Sequence, residues 1–258
     1  MKTILAVLLL FTASAQAQIT YGYSATAQRY DVDQLGTLSG MDTSIATNCV
    51  AWWTFSQNDG TKVYDAASTH DMTGVASPVW TNGWGGGMVF NGSSQYLTNA
   101  AWAVPVSNYT WAIWMKNTTG LSTTNGNTYR AFLGSYLNSG VRDQIYYYKN
   151  DGTLYYSSVP FNNVCSVTTN IAAQTWLHIV VSRTSSNFFM FINGIFRASA
   201  VTNISQQTGN RKTYIGQEGA GSYMDMIVGD AQIFNRGLTS NEVVTLYSNT
   251  KTNYPGAP

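Results

Sequence analysis

The sequence predicts an all-β protein, a sandwich or a barrel, with one short helix near its C-terminus. From Cys49 onward, short runs of β-branched and aromatic residues alternate with turns rich in Gly, Asn and Asp. The apolar periodicity of long helices is absent from the chain. We therefore expect antiparallel strands and no α/β architecture.

The clearest strand covers residues 109–116. Side chains alternate between the two faces of a strand, so Trp111 and Ile113 share one face while Ala112 and Trp114 share the other. Both faces are apolar. We expect this strand to be buried on both sides over part of its length.

Two segments predict β-hairpins. Asn150-Asp151-Gly152 separates one pair of predicted strands, and Asn193-Gly194 separates another. The second loop has two central residues that tolerate positive φ, so it suits a type I′ turn.

The single helix is predicted after Thr239. The segment 239–242 reads T-S-N-E, a capping box in which Thr239 and Glu242 satisfy the free amides of the first turn. Val243, Leu246 and Tyr247 then form one apolar stripe.

The N-terminus has the features of a secretory signal peptide. Lys2 precedes an apolar run at residues 4–11, and an A-x-A site ends at Ala17. A membrane-spanning helix needs about 20 apolar residues, so the run is too short to be one. We expect cleavage after Ala17 and a secreted protein, extracellular or periplasmic; the alternative is a buried N-terminal helix.

Composition argues against two classes of partner. Only 10% of the residues are charged and the net charge is +1, without a basic cluster. Nucleic acid binding requires a dense cationic surface, and anionic membranes attract one too. We expect neither nucleic acid binding nor membrane insertion.

Six segments, taken in order, resemble laminin-G-like jelly-roll domains of the concanavalin A-like lectin/glucanase superfamily. The most specific is D-A-Q-I-F-N-R-G-L-T at residues 230–239, which is similar to the family's closing D-V-R-I-Y-N-R-A-L-S. The segments lie at residues 49–55, 84–97, 109–116, 176–182, 190–194 and 230–239. The resemblance implies a jelly roll of two antiparallel sheets, in a family that usually binds carbohydrate or mediates adhesion.

These observations divide the chain into four parts. Residues 1–17 are the signal peptide, 18–47 an N-terminal arm or linker, 48–250 the jelly-roll domain and 251–258 a tail. The arm is rich in Ala, Thr, Ser, Gln and Gly and alternates weakly. It is a candidate for self-association.

The sequence does not predict an enzyme, although the superfamily that it resembles includes glycosidases. Glycosidases need two carboxylates about 5–10 Å apart. The only glutamates are Glu218 and Glu242, and Glu242 belongs to the helix cap. On an unbroken strand Asp225 and Asp230 would face opposite sides. His178, in an apolar run, is expected to be a hydrogen-bonded structural residue.

The resemblance also implies a candidate structural calcium ion. Asp230 matches the acidic residue of the closing motif, and Asp65 lies in the early loop near which relatives bind calcium. Where relatives often carry an acidic residue after the first strand, this chain has Ser56 and Gln57, which weakens the site. Otherwise Asp230 would bond to neighbouring backbone.

Cys49 and Cys165 are the only cysteines. In an oxidising compartment they could form a disulfide, which would stabilise the fold by about 4–5 kcal/mol in the chain-entropy model. The alternative is two buried free thiols.

The candidate ligand site lies in the central hairpin. Tyr146 and Tyr148 share a strand face with Gln144, and aromatic faces stack on sugar rings while amides bond to their hydroxyls. The alternative is that these tyrosines only cover a sheet. We predict a secreted, non-catalytic domain that binds a glycan or glycoprotein; the alternatives are an assembly component of an extracellular surface, appendage or particle, and, less favoured, a glycoside hydrolase.

Overall fold

The fold is taken from a computed structural model. It describes residues 43–56, 60–81, 87–118, 129–138, 141–148, 151–158, 162–169, 171, 173–204, 209–217, 222–254 and 256–258. The predicted signal peptide, residues 18–42 of the predicted arm, and Glu218 lie outside these ranges. Export and self-association through the arm therefore stay predictions.

The described residues form strands joined by turns, with a short helix before them and a longer one after them. The helices are α1 (Thr43–Ala46) and α2 (Ser240–Thr250), and a 3-10 turn (Lys251–Asn253) follows α2. The strands are β1 (Cys49–Trp53), β2 (Lys62–Val63), β3 (Met72–Val75), β4 (Val79–Trp80), β5 (Met88–Asn91), β6 (Tyr96–Thr98), β7 (Tyr109–Asn117), β8 (Tyr129–Asn138), β9 (Val141–Tyr148), β10 (Thr153–Ser158), β11 (Asn162–Thr168), β12 (Trp176–Thr184), β13 (Asn187–Ile192), β14 (Ile195–Val201), β15 (Lys212–Ile215) and β16 (Asp225–Phe234).

The strands form two eight-stranded antiparallel sheets. The first sheet has the order β14-β13-β12-β7-β16-β5-β4, and β1 also pairs with β16. The second sheet has the order β11-β10-β9-β8-β15-β6-β3-β2. This confirms the predicted two-sheet jelly-roll sandwich with one short C-terminal helix.

The main core lies between the inner faces of the two sheets. Trp111, Ile113 and Met115 of β7 point into it, together with Tyr147 of β9 and Tyr156 of β10. Ala112 and Trp114 point to the other side of the first sheet and are also buried. Burial of β7 on both faces is confirmed.

Helices cover the outer face of the first sheet. Leu246 of α2 packs on this face with Ile45 and Ala46 of α1 and with Phe234 of β16. The chain is therefore already packed at α1, before the first strand. At the other end, the ring of Tyr254 stacks on Trp114 at 4.4 Å between centroids.

The predicted helix cap and the Asn193-Gly194 turn form as the sequence indicates, whereas Asn150 of the other predicted turn lies outside the described residues. The Thr239 side chain accepts a bond from the Glu242 backbone N–H, and the Glu242 carboxylate accepts one from the Thr239 backbone N–H. Asn193 and Gly194 have φ of 54° and 73°, as a type I′ turn between β13 and β14 requires.

Both cysteines are free thiols in the structure, with Cys165 buried and Cys49 half-buried, so the candidate disulfide is not formed between them here. Cys49 lies in β1 and contacts the cluster on the outer face of the first sheet, whereas Cys165 lies in β11 and points into the main core. The two side chains belong to different layers of the sandwich.

Helices long and apolar enough to cross a membrane are absent from the part of the chain that the structure describes.

Candidate functional site

The outer face of the second sheet, here called the tyrosine face, carries the residues predicted from the central hairpin. In β9, Ile145 and Tyr147 point into the core, so Gln144, Tyr146 and Tyr148 lie together on the outside. The shared face that the sequence predicted for these three residues is confirmed. Their role as a ligand site stays a prediction.

Four rings form the first tyrosine group, Tyr129, Tyr146, Tyr148 and Tyr155. The Tyr146 ring stacks on Tyr155 at 5.3 Å, and Tyr129 contacts Tyr148 at 4.9 Å. Tyr146 is only 2% exposed, whereas Tyr129 is 37% exposed and Tyr148 and Tyr155 are half-buried. The accessible rings of this group are therefore Tyr129, Tyr148 and Tyr155.

A second tyrosine group, Tyr96, Tyr136, Tyr214 and Tyr223, lies toward the other edge of the sheet. Tyr96 contacts Tyr214 and Tyr223, each at 6.0 Å, and Tyr136 meets Tyr214 edge-on at 6.2 Å. All four rings are half-buried. The tyrosine face thus offers aromatic surface on both sides of its centre.

The centre, here called the middle row, consists of Gly134, Gln144 and Ser157, which face one another across β8, β9 and β10. Gln144 is 1% exposed and Ser157 is fully buried. Neither the two amide atoms of Gln144 nor the hydroxyl of Ser157 has a hydrogen-bond partner. Tyr214 continues the row beyond Gly134.

A buried polar network holds β9 and β10 from the inner side. The Asp143 carboxylate accepts hydrogen bonds from Arg211, Ser158 and Tyr156, the last at 3.3 Å. Tyr156 also bonds to the hydroxyl of Tyr109 from the first sheet. Because the charges of Asp143 and Arg211 are paired, the network fixes the strands that carry the middle row.

Tyr146 and Tyr155 of the first group keep their phenolic protons. Burial raises the pKa of Tyr146, whose hydroxyl donates to Asn163 Oδ1 at 2.6 Å. A hydrogen bond to Asp151 raises the pKa of Tyr155, and the distance to Asp151 Oδ2 is 2.6 Å. Both rings are therefore neutral and held in place.

Among the described residues, Asp225 and Asp230 do not meet as a glycosidase requires, and Glu218 lies outside the described ranges. A β-bulge between Val228 and Asp230 places Asp225 and Asp230 on the same face, which corrects the expectation of opposite faces on an unbroken strand. Five residues of strand still separate them by about 15 Å, beyond the usual separation of about 5–10 Å. Glu242 is bonded to Arg236 at 2.6 Å and caps α2.

The two histidines occupy different environments. His178 is buried, stacked on Trp114 at 4.8 Å, and its Nδ1 has no hydrogen-bond partner. This position fits the structural role that we expected. The ring is held by stacking, whereas the sequence had suggested a hydrogen bond. Burial lowers its pKa to about 3, so it is neutral at pH 7. His70 bonds to Asp65 at 3.1 Å and stacks on Trp102.

The two candidate calcium ligands converge on one residue, Trp52. Its backbone N–H donates to Asp65 at 2.8 Å and its Nε1 donates to Asp230 at 2.7 Å. Asp65 also accepts bonds from the backbone of Ala67 and from His70. Groups of three or more His, Cys, Asp or Glu side chains suited to a metal are absent from the described ranges.

These partners satisfy Asp65 without a cation, and burial raises the pKa of Asp230 to about 8 against the opposing effect of the Trp52 bond. An Asp65 carboxylate occupied by N–H groups and a protonated Asp230 are a poor fit to calcium, which prefers several charged oxygens. The calcium ion stays a prediction from the resemblance.

Sequence reasoning missed most of the tyrosine face. Tyr129 and Tyr136 are seven residues apart and should face opposite sides, but a bulge between Ala131 and Leu133 returns both to the outside. The sequence gives no sign that Ser157 belongs to the candidate site. The strand order that brings Tyr214 beside Gly134 has no local signal in the sequence.

Comparison with known proteins identifies the fold and a family. A family model described as the concanavalin A-like lectin/glucanases superfamily, Laminin_G_3, matches residues 91–244, more than half of the chain. No curated protein sequence matches the chain.

Several solved structures share the fold at low identity. Trypanosoma rangeli sialidase in complex with sialic acid is 17% identical with a TM-score of 0.59; the match covers 82% of this chain and 34% of the sialidase. The chain thus spans about a third of the sialidase. The binding domain of botulinum neurotoxin serotype G is 14% identical with a TM-score of 0.62, covering 82% of this chain and 54% of that one.

A third structure matches over almost its whole length. Domain 4 of AbnA, an extracellular GH43 arabinanase from Geobacillus stearothermophilus, was solved in complex with arabinotriose. It is 18% identical, with a TM-score of 0.61, and the match covers 78% of this chain and 98% of that domain.

Proposed function

Because the chain belongs to the laminin-G-like family of the concanavalin A-like lectin/glucanases superfamily, we propose that it is a secreted, non-catalytic carbohydrate-binding domain whose ligand lies across the tyrosine face. The observation that carries the proposal is the concentration of half-exposed tyrosine rings on one sheet face. The first sheet, by contrast, buries its outer face under α2.

The chemistry of the tyrosine face suits a sugar. A pyranose presents apolar C–H surface on its ring faces and hydroxyls around its rim. Tyr148 and Tyr155 offer ring surface, while Asn163 and Gln144 offer amide groups beside them. Aromatic residues with a few convergent polar groups are typical of small-ligand sites.

Two of the similar structures support the proposal by analogy of fold. The arabinanase domain was solved with arabinotriose, and the serotype G protein is a neurotoxin binding domain. At such low identity, these similarities extend to the fold and not to the ligand. The glycan bound by this chain must therefore be found by experiment.

Binding without catalysis is proposed because two acidic side chains, Glu242 and Asp143, are engaged in structural contacts. Glu242 is paired with Arg236 and bonded to the start of α2. Asp143 is fully engaged inside the core with Arg211 and Ser158. Secretion is proposed from the basic residue, the apolar run and the A-x-A site of residues 1–17.

The proposal is tested by retention on polysaccharides. The mature chain is incubated with insoluble cellulose, chitin, xylan, mannan and debranched arabinan, and with a printed array that includes sialylated glycans. We expect at least one glycan to retain the wild type. The double variant Tyr148→Ala, Tyr155→Ala should bind it about tenfold or more weakly, because it removes two accessible rings.

The control is Phe196→Ala. Phe196 is 51% exposed but lies in β14 of the first sheet, against Phe191, so its loss should leave retention unchanged. Failure of every glycan to retain the wild type would overturn the proposal. Equal retention of the wild type and the double variant would move the site away from the first tyrosine group.

A further inference from the structure

We propose that Gln144 and Ser157 form a subsite that recognises two adjacent hydroxyl groups of one uncharged sugar unit; this inference rests on the proposed function. In the middle row, two side chains of the tyrosine face, Gln144 and Ser157, are buried and have no hydrogen-bond partner. The sequence predicted Gln144 as an amide that bonds to sugar hydroxyls, and it did not indicate Ser157.

The unpaired polar groups of Gln144 and Ser157 cost the fold free energy. A buried amide or hydroxyl without a partner destabilises a fold, and native proteins rarely keep such groups without a reason. Gln144 leaves both its donor and its acceptor unused, and Ser157, directly across the strands, leaves a third group unused. Three unused groups at one point of a sheet are typical of a site that is completed by a ligand.

Gly134 lies beside Gln144 on the neighbouring strand. An added Cβ at Gly134 would lie 3.3 Å from Gln144 Cβ and 3.2 Å from the Asp143 carbonyl oxygen, so it would crowd Gln144. Ser157 is small on the opposite side. Tyr214 lies beside Gly134 along the row, and Tyr146 lies two residues from Gln144 along β9. The polar groups of the middle row are therefore flanked by aromatic residues.

The Gln144 carboxamide indicates the chemical class of the ligand. A carboxamide accepts through Oε1 and donates through Nε2, so it can bond to two neighbouring hydroxyls at once, one donating and one accepting. The Ser157 hydroxyl can bond to either. Both cross-strand neighbours of Gln144, Gly134 and Ser157, are uncharged, which suits a neutral diol, and the cation Arg142 lies two residues away on the same face.

Access requires a change in the side chains. Because Gln144 and Ser157 are covered in the structure, a sugar reaches them when a neighbouring ring changes rotamer. Half-exposed side chains make such changes in picoseconds to nanoseconds. The tyrosine rings beside the row would then close against the sugar.

The test uses Gln144→Met, which keeps the length of the side chain and removes both polar atoms. Retention is measured on the panel glycan that binds the wild type most tightly. We expect affinity to fall at least about tenfold, because two hydrogen bonds to the sugar are lost. The melting temperature should rise by about 2–4 °C, because the unpaired amide is gone. A purely structural role would lower the melting temperature.

The matched control is Gln232→Met. Gln232 is 3% exposed, its Nε2 also has no partner, and it pairs with Ala112 on the outer face of the first sheet. Its substitution should leave glycan retention unchanged. Ser157→Ala, a smaller change, should weaken retention severalfold and also preserve folding.

The ligand class is tested with the same glycan after chemical O-acetylation, which masks hydroxyls without adding charge. The acetylated glycan should not retain the wild type, and mild alkaline deacetylation should restore binding. If Gln144→Met and Ser157→Ala bind as tightly as the wild type, or if acetylation has no effect, the subsite is overturned while carbohydrate binding stands. If the wild type binds no glycan, the subsite and the proposed function both fail.

Discussion

His178 shows how one buried residue couples stability to pH. Burial lowers the pKa of its imidazole to about 3, whereas in the unfolded chain it is about 6.5. Between these values the unfolded state binds one proton more than the folded state. Stability is therefore full above pH 6.5 and falls by about 1.4 kcal/mol per pH unit as the pH drops toward 3.

We predict that His178→Phe reduces this pH dependence. The phenyl ring keeps the stack on Trp114 and Tyr247 but binds no proton. In urea titrations between pH 7 and 4, the variant should lose about 1.4 kcal/mol less per pH unit than the wild type. Val181→Ala, in the core on the same strand, should lower stability equally at each pH. Parallel curves for the wild type and His178→Phe would contradict the prediction.

At the scale of elements, the hairpin between β13 and β14 fits against α2 through one glycine. Gly194 has φ of 73°, and a Cβ there would lie 2.9 Å from Cδ1 of the Tyr247 ring. Gly60 has φ of 66° with nothing within 4 Å of such a Cβ. The two positions share the same backbone conformation but differ in their surroundings.

We predict that Gly60→Ala destabilises the protein by about 1–2 kcal/mol, the cost of a left-handed non-glycine residue. Gly194→Ala should cost about 1–3 kcal/mol more, because it also displaces Tyr247 from its packed position. The free energies of unfolding come from urea titration. Equal losses for the two variants would mean that α2 moves aside without penalty.

The sequence predicted some structural elements and could not predict others. Local patterns predicted the hairpins, the helix cap and the two buried faces of β7, because alternation and turn chemistry act over a few residues. The bulges in β8 and β16 have no such signature. Because of these bulges, Tyr136 lies on the same face of the sheet as Tyr129, and Asp230 lies on the same face as Asp225.

The candidate site depends on this non-local information. Gln144 could be identified because β9 alternates regularly, but its neighbours Gly134 and Ser157 come from two other strands. The order of strands places them, and strand order is decided by the packing of the whole sandwich. The absence of hydrogen-bond partners for Gln144 and Ser157 also requires the surrounding structure.

At the scale of the whole molecule, the sandwich is held by its core without a covalent link between layers. Cys49 and Cys165 are free, and burial raises the pKa of both thiols, that of Cys165 to about 11. A thiol reacts and oxidises as its thiolate. Protonated thiols on different layers of the sandwich can therefore persist even in the oxidising compartment proposed for this protein.

We predict that the purified chain, denatured without reductant, reacts with two equivalents of 5,5′-dithiobis(2-nitrobenzoate), and that the folded chain reacts far more slowly. Reductant should leave the melting temperature unchanged, since no disulfide constrains the unfolded state. Cys165→Ser should give one equivalent after denaturation. Appearance of thiols only after reduction, with a lower melting temperature, would contradict the free-thiol arrangement and would require Cys49 and Cys165 to meet across the layers that separate them.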